Sequence, residues 1–223
     1  MTQFNELLLA LFLLSCLMLA VSSRLLHCIR LVAMQGIILG ILPLTLAESL
    51  HLNHLPAAAI NLLLKGVVLP LLLIRAMKKA GVKRELEPIA GYSISALTVL
   101  LLTLFSFFVS GKLPLPQEAP ELAGLAIPAA FTTVLTGLFI VIARKKALTQ
   151  VIGFLVFENG ITLFGAAAMR EHPLIVELGI LLDILVLVFI MGITVFQISR
   201  EFSHIDANLL NQLDDIPDRK EVK

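Results

Sequence analysis

Ala147-Leu-Thr-Gln-Val-Ile-Gly-Phe-Leu-Val-Phe-Glu-Asn-Gly-Ile-Thr-Leu-Phe-Gly-Ala-Ala-Ala-Met169 carries a single formal charge, Glu158, close to its centre. It is long enough to cross a bilayer as a helix, which takes about 20 apolar residues. The rest of the chain reads the same way. Of its 223 residues 58% are apolar and 15% charged, and the mean hydropathy is +0.98, whereas a soluble domain is about half apolar and a quarter charged. A net charge of +1 with no basic stripe excludes a nucleic-acid binder. Two cysteines, Cys16 and Cys28, cannot supply the four thiolates of an iron-sulfur or structural zinc site, and they do not make a disulfide framework. With no Trp and one Tyr, the 13 Phe residues and the charged flanks must set helix depth.

Seven apolar runs of spanning length are present: Phe4–Ser22, Leu25–Leu46, Leu55–Met77, Pro88–Ser110, Leu122–Ala143, Ala147–Met169 and Leu174–Ser199. Pro56, Pro88 and Pro173 stand at or just before run starts, where a missing N–H does no harm. Met1 to Glu6 holds no Lys or Arg, so the first run lacks the basic flank of a signal peptide and is expected to stay. Of the 17 basic residues, 14 fall on one side: Arg24, Arg30, Arg75, Lys78, Lys79, Lys83, Arg84, Arg144, Lys145, Lys146, Arg200, Arg219, Lys220 and Lys223. Lys112 and Arg170 fall on the other side, and Lys65 is inside a run. The positive-inside rule then predicts an all-α integral membrane protein of seven transmembrane helices, N-terminus outside and C-terminus cytoplasmic. Outside the bilayer little remains. Ser203 to Lys223 places Ile205, Leu209, Leu210 and Leu213 among acids and reads either as a short amphipathic helix that docks on a partner or as a solvated end.

Three charges stand near the bilayer midplane. Lys65 lies ten residues into the third run, Glu158 eleven into the sixth and Asp183 nine into the seventh. At ~1.5 Å per residue each is about 15 Å deep, and each costs roughly 2.5–3.5 kcal/mol to insert alone. Two readings account for them. Pairing, for example of Lys65 with a carboxylate, would glue helices together. Alternatively, burial beside one opposite charge holds a group near its ionisation point, as a proton relay requires. Gly66 and Pro70 lie beside the lysine; Pro70 should release the Gly66 carbonyl and admit water. Pro43 likewise frees the Leu39 carbonyl, and Gly36 with Gly40 forms a small-xxx-small pair suited to close helix packing. Gln35, Asn61, Thr149, Gln150, Asn159 and Thr162 could carry hydrogen-bonded water between the charges or serve as inter-helix glue. Glu48, His51 and His54 gather at the outer end of the second and third runs, as interfacial residues, a proton-accessible mouth or metal or haem ligands. Glu177 lies above Asp183 and could extend a path outward.

Ala33-Met-Gln-Gly-Ile-Ile-Leu-Gly40 superposes on Val156-Phe-Glu-Asn-Gly-Ile-Thr-Leu163 with a constant offset of 123, which sets Arg24 on Ala147 and Gln35 on Glu158. Runs one to three would then be a parallel copy of runs five to seven, a common construction in transporters. The organisation expected is a three-helix unit over 1–87, a linker helix and external loop over 88–120, a second three-helix unit over 121–199 and a cytoplasmic tail over 200–223.

Leu135-Thr-Gly-Leu138, the basic turn Arg144-Lys-Lys146 and Val151-Ile-Gly-Phe-Leu-Val-Phe-Glu-Asn-Gly-Ile161 resemble the small K-type membrane subunit of complex I and its antiporter relatives. With Leu178-Gly-Ile-Leu-Leu-Asp-Ile-Leu-Val186 and Met191-Gly-Ile193, the whole chain resembles more closely the hydrogenase-4 membrane component E family. The resemblance covers the last ~80 residues best. It implies a multi-pass protein of the prokaryotic cytoplasmic (inner) membrane. It also implies a membrane-bound hydrogenase or formate hydrogenlyase-like assembly that couples electron flow to movement of protons or Na+. Antiporter-like membrane subunits would be partners, and the iron-sulfur clusters and the NiFe centre would sit in other subunits, with no cofactor on this chain. The K-type pattern has a glutamate in each of its second and third helices. Registering Gly153 and Asn159 puts the first at Leu155, whereas the acid here is Glu158; registering Gln197 puts the second near Leu187, whereas the acid here is Asp183. Both offsets are about one turn on the same face, so the acids keep a common depth.

These readings converge on a subunit without its own catalytic centre, in which Glu158 and Asp183 exchange protons and Lys65 modulates or relays them. Its rivals are a helical spacer that joins antiporter-like subunits to the redox arm, with the charges paired for packing, and an independent secondary transporter. No nucleophile-and-base set for a soluble-type enzyme is visible.

Overall fold

A computed structural model describes residues 2–46, 62–79, 91–113, 123–168, 179, 182–184 and 186–192. These residues form seven helices: α1 (Thr2–Val21), α2 (Leu25–Leu46), α3 (Leu69–Lys79), α4 (Tyr92–Ser110), α5 (Ala123–Ala143), α6 (Ala147–Ala168) and α7 (Leu182–Gly192). A π-helical turn, Leu64–Val68, leads into α3. Five of them (α1, α2, α4, α5 and α6) are long and apolar enough to cross a membrane. The third and seventh expected spans are described only in part, as α3 with its π-turn and as α7. The fourth helix starts later than its run suggests. Gly91 is the N-cap and Tyr92 the first helical residue, in keeping with the preference of a cap for a residue free to leave helical geometry. Glu48, Asn61, Glu177, His51, His54 and the tail lie outside the described residues.

Small residues decide which helices touch. A Cβ on Gly137 of α5 would lie 2.3 Å from Phe157 N and 2.7 Å from Gly153 O, and one on Gly160 of α6 would lie 2.6 Å from Val134 N. In a bilayer, where apolar side chains gain little by leaving lipid, such backbone approach is the main source of helix association. On α2, Gly36 and Gly40 do the same toward the segment that precedes α3: their added Cβ atoms would meet Lys65 at 2.8 Å and Leu62 at 2.7 Å. The small-xxx-small pair is thus a packing surface. Helix α2 also continues past Pro43 to Leu46. Gly137→Ala is expected to force α5 from α6, at a cost of about 1–3 kcal/mol as for other overpacked sites, and to lower the melting temperature of the purified protein. Gly124→Ala, with nothing within 4 Å of its Cβ, should leave it unchanged.

The interior has two apolar parts with a polar layer between them. One joins Leu19, Ile29, Val32, Leu69, Leu73, Ile152, Leu155 and Val186 among others. The other joins Leu9, Phe12, Ile38, Leu42, Ile127 and Leu163. On each helix that contributes to both sets, buried polar residues are numbered between them: Ser15 on α1, Gln35 on α2, Thr133 on α5, and Glu158 with Asn159 on α6. Helix α4 is peripheral. Its buried side chains are Ser95, Val99 and Ser106, while Leu97, Leu104 and Phe108 point outward.

Candidate functional site

The polar layer has two adjoining parts. In the first, Lys65 Nζ forms an ion pair with Glu158 Oε1 and donates to Thr162 Oγ1 at 3.0 Å. Thr162 in turn donates to the Glu158 carbonyl at 3.0 Å. Glu158 and Thr162, one turn apart on α6, therefore hold the ammonium between them. Lys65 is the second residue of the π-turn, where Leu69 N–H donates to Leu64 O across five residues. Pro70 explains this irregularity. It has no N–H to give, either to Gly66 in α register or to Lys65 in π register. The expected helix break thus takes the form of a π-turn, a feature common at functional positions. Gly36 supports it from below, because only a residue without a side chain leaves room for the Lys65 backbone.

Asp183 closes the group from α7. It interacts electrostatically with Lys65 and lies beside Glu158. Gly179, four residues earlier in the chain, lies over Glu158 and Thr162, its would-be Cβ 3.7 Å from Glu158 Oε1 and 4.0 Å from Thr162 Oγ1. Lys65 is 4% exposed, and Glu158 and Asp183 are fully buried. Three carboxylate oxygens, Glu158 Oε2 and both Asp183 Oδ atoms, have no donor in hydrogen-bond geometry among the described residues. Two carboxyls and one ammonium give a group that is neutral with one added proton and carries one net negative charge without it.

The second part is a crossbar of amides and hydroxyls. Asn159 Nδ2 donates to Gln35 Oε1 at 3.3 Å, Gln35 Nε2 donates to Ser15 Oγ at 2.6 Å, and Ser15 Oγ donates to Phe12 O at 2.5 Å. Cys16 Sγ lies 3.7 Å from Gln35 Nε2 and 3.4 Å from Thr133 Oγ1. Because Gln35 and Asn159 neighbour Gly36 and Glu158 in sequence, the crossbar is one step from the charges. It also fixes the faces that α2 and α6 turn to each other.

Of the residues singled out in the sequence, Lys65, Glu158, Asp183, Asn159, Gln35 and Thr162 come together, with Gly66 and Pro70 flanking the lysine. Gln150 does not join them. Its Nε2 donates to Arg144 O at 3.1 Å, which fastens the turn between α5 and α6, and Thr149 is buried beside it. Ser15, Cys16 and Thr133 were missed, since a lone small polar residue in an apolar run carries no signal of its partner. Arg144 was read only as a flanking charge. It is 2% exposed, donates to Ala20 O at 2.9 Å and lies over the Tyr92 ring at 5.4 Å. Among the described residues no group of three His, Cys, Asp or Glu could hold a metal ion.

The chain is 36% identical over 189 residues to the uncharacterized protein Rv0085 of Mycobacterium tuberculosis, which covers 84% of this chain and 85% of that one. It is 28% identical over 149 residues to hydrogenase-4 component E of Escherichia coli K12, 67% of this chain and 68% of the relative. The same figures hold for hydrogenase-4 component E of Shigella flexneri. No family model matches the chain, and no solved structure does.

Proposed function

Since the chain belongs to the same family as the mycobacterial protein Rv0085 and is a more distant relative of hydrogenase-4 component E, we propose that it is a membrane subunit of a hydrogenase-like complex. Its partners are then antiporter-like membrane subunits and the subunits that carry the iron-sulfur clusters and the NiFe centre. It holds no catalytic centre itself. Its own contribution is a proton path in the cytoplasmic membrane, in which Glu158 and Asp183 pass a proton between them and Lys65 sets the charge that they feel.

One observation carries this reading: three carboxylate oxygens, fully buried beside the Lys65 ammonium, that have no donor among the described residues. A group built only to glue helices would satisfy those acceptors, because an unmet buried acceptor costs about 1–3 kcal/mol and an unmet buried charge more. Unmet acceptors beside one cation suit a site that gains and loses a proton. Charge changes in neighbouring subunits during electron transfer would then shift proton occupancy.

Purification from native membranes tests the assembly. Hydrogenase subunits should accompany the chain, and a stable homo-oligomer that transports without them would favour an independent secondary transporter instead. Asp183→Asn tests the path. It leaves Lys65 and Glu158 as a neutral pair, so electron transfer should continue while redox-linked proton uptake by vesicles is lost. Normal uptake would refute the relay.

A further inference from the structure

Helix α5 turns a second set of polar groups inward, away from the ion pair. Ala130, Val134, Gly137 and Val141 meet α6, Thr133 meets α1 at Cys16, and Leu138 with Ile142 faces outward. At ~100° per residue, Thr132 and Thr136 fall on the remaining side, toward the seam between α1 and α4, both of which pack on α5. Each is fully buried, and neither hydroxyl has a partner among the described residues.

That is unusual within this chain. Thr98, Thr103, Ser106, Thr133 and Thr162 each donate to the carbonyl four residues earlier, the bond that every helix offers a hydroxyl. Thr132 and Thr136 forgo it, which leaves two buried hydroxyls with their bonding capacity unused among the described residues. Arg144 repeats the pattern at the α5 end. Its Nη2 donates to α1 and its plane lies over Tyr92 of α4, yet its Nη1 is buried with no partner among the described residues. Between Arg144 and Thr136 the seam is narrowed by Cys16, Ala20 and Val99, with Leu17 and Phe139 packed against them, an apolar collar at which wetting would gate the seam.

We propose that the α1–α4–α5 seam holds a short file of water on Thr132, Thr136 and Arg144 Nη1, and that protons reach the polar layer through it from the Arg144 end of the bundle. This rests on the relay reading. Buried orphaned groups are the usual partners of internal water. The file ends at Thr133 and Cys16, and beyond them the crossbar separates it from Glu158. Amides do not hand protons on, so water must enter at the Asn159–Gln35 bond, which at 3.3 Å is beyond the usual range. Only O–H bonds change: a hydronium of the file gives its proton to the Glu158 carboxylate, and neutral water remains.

The test uses membranes that hold the whole complex. Thr132→Val/Thr136→Val keeps shape and removes both hydroxyls. It should lower redox-linked proton uptake at least tenfold with the amount of complex and electron transfer unchanged, and Thr132→Ser/Thr136→Ser should restore uptake. Uptake by the valine variant within twofold of wild type would overturn the proposal, as would a serine variant as impaired as the valine one. If the valine variant fails to assemble, a density map of the wild-type complex fine enough to show water decides: ordered water beside Thr132 and Thr136 supports the file, and a dry seam overturns it. Glu158→Gln in the same membranes separates the two levels. If it is dead while the valine variant pumps, only the file falls; if it pumps normally, the relay and the file fall together.

Discussion

Glu158→Gln is expected to accumulate in the membrane at wild-type level and to lower redox-linked proton uptake by roughly a hundredfold or more, the scale on which a positioned proton-transfer group acts. The argument is one of charge and shape. Gln has the outline of Glu, and its amide oxygen can still accept from Lys65 Nζ, as Glu158 Oε1 does. Its amide nitrogen adds a donor at a place where, among the described residues, neither Glu158 Oε2 nor the Asp183 oxygens have one. The remaining charges, Lys65 and Asp183, balance, so no unpaired ion is left in the apolar interior and assembly should hold. What disappears is the group that can bind and release a proton. Proton uptake in vesicles, set against the rate of electron transfer in the same preparation, is the measurement. An unchanged ratio would mean that the group serves packing and nothing else.

Much of the arrangement could be read along the chain, and what could not has a common cause. The apolar runs, the three central charges and the Gly36–Gly40 pair are local patterns, governed by helix length, insertion cost and spacing on one face. Which charge meets which is not local: Lys65 and Glu158 are 93 residues apart, and only packing brings the π-turn against α6. The irregularity at Lys65 could be expected from Gly66 and Pro70, but its form, an i→i+5 turn, depends on how the backbone rests against Gly36. Gln150 illustrates the converse. Its polarity suggested a place between the charges, yet it sits at the helix start, within reach of a free carbonyl at Arg144, and it takes the nearer partner. Ser15 and Cys16 take on meaning through Gln35, which reaches both from α2, and Thr133 through its contact with Cys16.

Lys65→Met should have the opposite profile to Glu158→Gln. It removes the cation of the group and leaves Glu158 and Asp183, both fully buried, with no counter-charge paired to them among the described residues and with apolar layers on either side. Stranding a partner of a buried ion pair typically costs about 3–5 kcal/mol, which at ~1.4 kcal/mol per factor of ten shifts the folded fraction by more than about a hundredfold. The amount of chain recovered in membranes should therefore drop sharply, well before any question of uptake arises. Lys65→Met/Glu158→Met then removes the stranded charge along with its partner, and a pair replaced by apolar groups of similar volume is often tolerated. Recovery of the double variant should return toward wild type, with Asp183 left to stay protonated. If its proton uptake remains absent while the complex is again present, the ion pair holds the bundle together and the relay needs the same two residues. If uptake also returned, the path would have to run without Glu158, and the role assigned to it would be lost.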